Sequence, residues 1–305
     1  MSERDGRPDV DDRRIVPDVD DIEQDIDTTD RGTTCVETFR SFDSYVDAAS
    51  SRDVHPSWSG TVSSKSEPDT WNGNVSLLDA CELARNGWST GLKRTVGHVA
   101  SVTDGKREQT KSIGWQASTS GAFPNIGAFL SGHPLCMQQI APGTGMQGTV
   151  YRLTVVLAQS SSTSSDKMHM WGSALCVLVQ TLQRRGVNLE IQISMDTYRK
   201  SVGGKRHMFA IRARVKDANQ PLDMGRLSYL FGHASSLRRI AFRIKEASEF
   251  CAVHGWSTEY GYPTFCDTGR DGVVIRNHAG ICNSVEDALS NVTDQYNAQT
   301  RKAGQ

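Results

Sequence analysis

Residues 149–195 constrain the fold more than any other stretch. "TVYRLTVVLA" (149–158) is a near-continuous apolar and β-branched run, the pattern of a strand buried on both faces. A serine-rich segment, "QSSSTSS", follows. In "MHMWGSALCVLVQTLQRRG", Met170, Ala174, Val177, Leu178 and Leu182 recur at helical spacing, and Gly186 stops the run. "VNLEIQISM" then alternates Val187, Leu189, Ile191 and Ile193, as a strand does. Strand, helix and strand at these lengths make a βαβ unit, so the two strands should run parallel with a right-handed crossover.

The elements downstream extend this unit. "SVGGK" reads as a hairpin turn and "RHMFAIRARVKD" as a strand antiparallel to "VNLEIQISM". "DMGRLSYLFGHASSLRRIAFRIKEASEF" supplies two helices broken at Gly232, with Ser235 or Ser236 capping the second. "GVVIRN" is a short strand, and Ser284 caps a final helix, "SVEDALSNVTDQYNAQTRKA". The first half is richer in helix. Val36, Phe39, Phe42, Tyr45 and Val46 fit a short amphipathic helix. "SLLDACELARNGW" is a helix capped by Ser76 and ended by Gly87, and "TGLKRTVGHVASVTDG" continues as another. "KSIGWQAS" suggests a strand and "PNIGAFLSG" one or two helical turns. Glycine-rich "APGTGMQGT" marks the boundary between the halves.

Charge divides the chain. Residues 1–32 hold twelve acids and five bases, while the whole chain of 305 residues carries a net charge of only −1. The expected organisation is a disordered acidic arm (1–32), a mixed α/β region packing on the core (33–147) and an α/β domain (148–305). No apolar run is long enough for a membrane helix, and the N-terminus lacks the hydrophobic stretch of a secretory signal. The expected location is therefore the cytoplasm, with no membrane partner. Seven cysteines, widely spaced and without a C-x-x-C pair, point to reduced thiols, with Cys176 buried on a helix face.

From Val150 onward the order strand, helix, strand, antiparallel edge strand, helix, strand, helix resembles a von Willebrand factor A-like domain. The resemblance implies a three-layer sandwich around a mostly parallel sheet. In that family an Asp-x-Ser-x-Ser loop after the first strand helps to bind magnesium. Here Ser160 and Ser162 take the serine positions, Ala158 stands where the family has Asp, and Gln159 is the nearest substitute. Magnesium needs a carboxylate to offset its desolvation, so no metal or other cofactor is expected. Ser160, Ser162 and Ser164 remain the candidate ligand loop, for which helix N-terminal amides could serve an anion. "SLLDACELARNGW", "SGAFPNIGAFLSGHPLCM" and "HASSLRRIAFRIKE" are similar to uncharacterised proteins of bacteriophages and mobile elements. That resemblance implies an origin and no activity.

No catalytic constellation stands out. The eight histidines are scattered, and the chain has neither a G-x-S-x-G elbow nor a G-K-[ST] phosphate loop. Residues 199–245 hold twelve Lys or Arg against Asp217 and Asp223. Within them, Arg206, Arg212, Arg214, Arg238, Arg239 and Arg243 form the candidate phosphate or nucleic-acid patch. Three readings follow. The first is a non-enzymatic binding or assembly module with a protein partner or a second copy. The second is a nucleic-acid-binding protein, and the third a hydrolase or transferase with a pocket between the halves.

Overall fold

The computed structural model describes residues 21–59, 61–63, 69–103, 115–118, 123–124, 133–135, 137–140, 150–184, 186–201, 203–256, 260–264 and 272–303. The chain enters the fold at a hairpin. β1 (Ile22–Thr29) pairs antiparallel with β2 (Gly32–Phe39), from Ile22 opposite Phe39 to Thr29 opposite Gly32. This corrects the expected arm, which residues 22–32 do not join; residues 1–20 lie outside the described residues. Composition misleads because β1 is the outer strand of its sheet. An edge strand is held by backbone pairing and needs few apolar side chains, and Glu23, Asp25 and Asp27 discourage pairing with another chain.

Residues 36–39 are likewise strand rather than helix. Cys35, Glu37 and Phe39 alternate into the core, whereas Val36 is only half-buried. Val36 and Phe39 satisfy a helical spacing by coincidence. The helix itself, α1 (Phe42–Ser51), starts where the Ser41 hydroxyl accepts from the Ser44 amide at 3.0 Å. α2 (Leu77–Asn86) lies between the expected signals, with Ser76 and Asp79 in a reciprocal capping box and Gly87 at its end. α3 (Ser89–Thr103) follows. A separate small sheet holds β3 (Trp115–Ser118), β4 (Phe123–Pro124) and β5 (Met137–Ile140). The helical turns expected after Pro124 and the glycine-rich boundary at 141–149 lie outside the described residues.

The βαβ unit forms as its pattern predicts. β6 (Val150–Val156) runs parallel to β7 (Asn188–Lys200), joined by α4 (Ser165–Arg184), after which Gly186 adopts φ +80°. β8 (Arg206–Lys216) returns antiparallel to β7 across the Ser201–Lys205 turn. The expected pair of helices is more broken than its spacing suggests. α5 (Met224–Gly232) ends at His233, and a π-helical turn (Ser236–Ala241) leads into α6 (Phe242–Ala247) and α7 (Glu249–Val253). Neither expected serine caps the turn: Ser235 bonds to Tyr229 and His233, and Ser236 to the Leu230 carbonyl. β9 (Tyr262–Pro263), β10 (Val273–Ile275) and α8 (Val285–Ala303) complete the chain, with the Ser284 hydroxyl accepting from the Asp287 amide.

The main sheet has seven strands in the order β1-β2-β8-β7-β6-β10, with β9 also paired to β7. It is mixed: β2 with β8, β7 with β6 and β6 with β10 are parallel, and the other pairs antiparallel. β8 is therefore not an edge strand, because the N-terminal hairpin docks beyond it. One face of the sheet carries Phe39, Phe209, Ile211, Ile193 and Leu153, all at most 1 % exposed, and the helices pack there. α1 packs on this face through Tyr45 on Phe39, with ring centroids 5.4 Å apart, and α7 through Phe250 on Phe209. α4 touches α3, α5 and α8, and α2 joins α5 to α1. Such burial stabilises by roughly 1.5–3 kcal/mol for each large apolar side chain.

Candidate functional site

A change of partner along β7 creates a recess. β6 pairs with β7 as far as Ser194, whose carbonyl accepts from the Leu157 amide at 2.7 Å. β9 takes over on the same side at Thr197, opposite Pro263. Between the two partners lies a cavity of about 310 Å³ at the carboxyl end of β6, with Met195 and Thr197 on its β7 side. Open α/β sheets place ligands beyond the carboxyl ends of their strands.

Aromatic rings line the recess. Trp71 and Phe242 lie 6.3 Å apart between ring centroids, and Phe242 stacks on Tyr260 at 4.3 Å. Trp71 donates its indole N–H to the Ser161 carbonyl at 2.8 Å, fixing the serine loop to the 69–75 turn. Tyr260 is held from behind by Glu246, a fully buried carboxylate. It accepts from the Tyr260 hydroxyl, the Ser63 hydroxyl, and the amides of Val62 (2.8 Å) and Ser63 (3.0 Å). Burial, and then the Glu246 charge, push the Tyr260 hydroxyl far above its ordinary pKa, so it stays a neutral donor.

Three polar groups set the chemistry of the recess. Arg238 is 1 % exposed and lies under Trp71, its guanidinium carbon 4.2 Å from the ring centroid. It donates to the carbonyls of Trp71 and Thr163, the latter at 2.6 Å, and among the described residues no carboxylate comes within ion-pair distance of it. Burial lowers its pKa to about 10, only partly opposed by the charge of exposed Asp69. The Thr197 hydroxyl and both polar atoms of the Gln159 amide are buried without a hydrogen-bond partner among the described residues. Buried polar atoms left unsatisfied in a native fold call for a specific explanation.

Of the candidate serines, only Ser160 reaches the recess. The Ser160 and Ser162 hydroxyls bond to each other at 2.9 Å, and Ser164 caps α4 by accepting from the Lys167 amide. The six arginines are not brought together on one surface. Arg212 lies on the opposite face of the sheet, buried against Asp196 at 2.5 Å and the Ser194 hydroxyl at 3.0 Å. Arg239 is fully buried and donates to the carbonyls of Val62, Ser63 and Val75. Arg214 is exposed and pairs with Asp217; Arg206 stacks over Tyr198; Arg243 is half-buried. Sequence spacing put these cations near one another, but their depth in the fold gives three of them internal carbonyls or a carboxylate as partners.

A family model described as "Domain of unknown function (DUF7192)" matches residues 18–300. The chain belongs to this family. No curated protein and no solved structure matches it. The matched span runs from the hairpin into α8 and includes every residue of the recess. Sequence reasoning singled out Gln159, the serine loop and Arg238 but missed Trp71, Thr197, Phe242 and Tyr260. Only Trp71 carried a local signal, as a large aromatic inside the polar turn "DTWNGN".

Proposed function

We propose that the protein is a non-enzymatic binding module whose site is the recess at the carboxyl end of β6. The observation that carries this reading is the Thr197 hydroxyl and the Gln159 amide, buried beside a cavity and without protein partners. The volume sits at the small end of ligand pockets, and the mixture of aromatic rings and few polar groups is typical of them. A binding role, rather than catalysis, is supported by the lining, where the Ser160 hydroxyl bonds to the Ser162 hydroxyl rather than to a base. The order β10-β6-β7-β8 supports a von Willebrand A-like reading of residues 148–305, with Gln159 in the loop that holds the metal carboxylate in that family. The resemblance to phage proteins makes a phage or mobile element the setting we propose for it.

A small-molecule fragment screen read by thermal denaturation tests this function. At least one compound should raise the Tm of the native protein and lose that effect in Trp71→Ala or Gln159→Leu. Binders that act equally on native protein and variants would place the site elsewhere. A screen without binders would remove the recess as a site.

A further inference from the structure

We infer that the recess takes a small planar organic anion, an aromatic ring bearing a carboxylate or phosphate, with the ring against Trp71, Phe242 and Tyr260 and the oxyanion at Arg238 and Thr197. This inference rests on the binding reading above and adds the class of ligand. Its first support is charge. A cation that is 1 % exposed normally has a carboxylate beside it, because carbonyl dipoles alone offset little of its desolvation. Arg239, in the same π-helical turn, feels the charge of Asp69 and, after it, that of the buried Glu246, whereas Arg238 feels that of exposed Asp69 without Glu246. An entering oxyanion would supply that missing charge where water is largely excluded.

The second support is the hydroxyl of Thr197, 5 % exposed, on the β7 wall and without a partner among the described residues. The Gln159 amide offers a further donor and acceptor. The third is shape. Trp71, Phe242 and Tyr260 present ring faces or edges to a cavity of about 310 Å³, which suits one aromatic ring system with a short substituent.

Calorimetric titration with benzoate, phenyl phosphate and neutral benzamide tests the inference on the full-length protein. The two anions should bind, with the tighter one identifying the oxyanion, and benzamide should bind at least about tenfold more weakly. Thr197→Val should weaken the anions about tenfold. The same variant should raise the Tm of the free protein, since it removes a buried hydroxyl that lacks a partner. Arg238→Gln should abolish anion binding; where it also fails to fold, Thr197→Val carries the test. Benzamide binding as tightly as benzoate overturns the anion and leaves the recess a binding site. No binding by any probe at about 1 mM also overturns it, and the binding reading then stands or falls with the fragment screen.

Discussion

Gln299 donates to the Val274 carbonyl at 2.7 Å and accepts from the Val274 amide at 2.8 Å, so a helix side chain takes the hydrogen bonds that a neighbouring strand would make to β10, which pairs with β6 alone among the described residues. Gln295, one turn earlier on α8, does the same for Arg276 at 3.1 and 2.8 Å. Together they close the outer edge of the sheet. An uncovered edge is a template for pairing with another chain.

Gln299→Leu should therefore cost about 1–2 kcal/mol in urea denaturation and promote self-association. Size-exclusion chromatography at rising concentration checks the second effect. An unchanged midpoint with a monomeric profile would show that the edge does not depend on these amides.

Arg212 and Asp196 form the buried ion pair of the sheet's other face, their side chains 5 % and 0 % exposed. Asp196→Leu or Arg212→Met alone should cost about 3–5 kcal/mol, since each leaves a buried charge facing an apolar side chain. The double variant Asp196→Leu, Arg212→Met should recover a large part of that loss. A double-mutant cycle in denaturant measures the coupling, and simple additivity of the two losses would refute it.

Two helical glycines should respond in opposite directions to the same change. A Cβ at Gly172 of α4 would meet the backbone of Phe231 and Gly232 in α5 at 2.4 Å, so Gly172→Ala should cost about 1–3 kcal/mol. Gly97 in α3 has nothing within 4 Å of the same position, and Gly97→Ala should gain up to about 1 kcal/mol from helix propensity. Paired thermal scans on the two variants decide both signs.

Acid should weaken the fold before the carboxylates titrate. His233 is 8 % exposed and stacks edge-on with Trp88, and burial, with the charge of His169, lowers its pKa from 6.5 to about 4. Between those values the unfolded chain binds a proton that the native state refuses. Stability is thus complete above pH 6.5 and falls as the pH drops toward about 4, by about 3 kcal/mol for this group. His207 and His254, stacked at 4.2 Å, are both lowered, chiefly by burial, and act in the same direction. Urea midpoints measured across this window should decline, and His233→Gln should flatten the decline. Asp79, held below its ordinary 3.8 by its bonds to Ser76, adds a loss only at lower pH.

Elements read correctly from the sequence are those whose signals are local. The strand, helix and strand of 150–200, the capping box at Ser76 and Asp79 and the Ser284 cap each lie within a few turns of chain. Their periodicity and caps act over neighbouring residues, so no distant contact is needed to recognise them. The hairpin failed this criterion. β1 is almost wholly exposed, and β2 pairs with β8, which follows it by more than 160 positions. No local pattern encodes a partner at that distance.

By itself, the sequence determined the α/β class, the parallel βαβ unit and a serine loop without an acidic residue at Ala158. These follow from periodicity and residue type alone. Only the tertiary structure decided that Arg212, Arg238 and Arg239 face inward rather than form a basic surface. It alone brought Trp71, Gln159, Thr197 and Tyr260 around one recess. The physical reason is that burial and charge compensation depend on which segments meet, and these four residues reach the recess from separate parts of the chain.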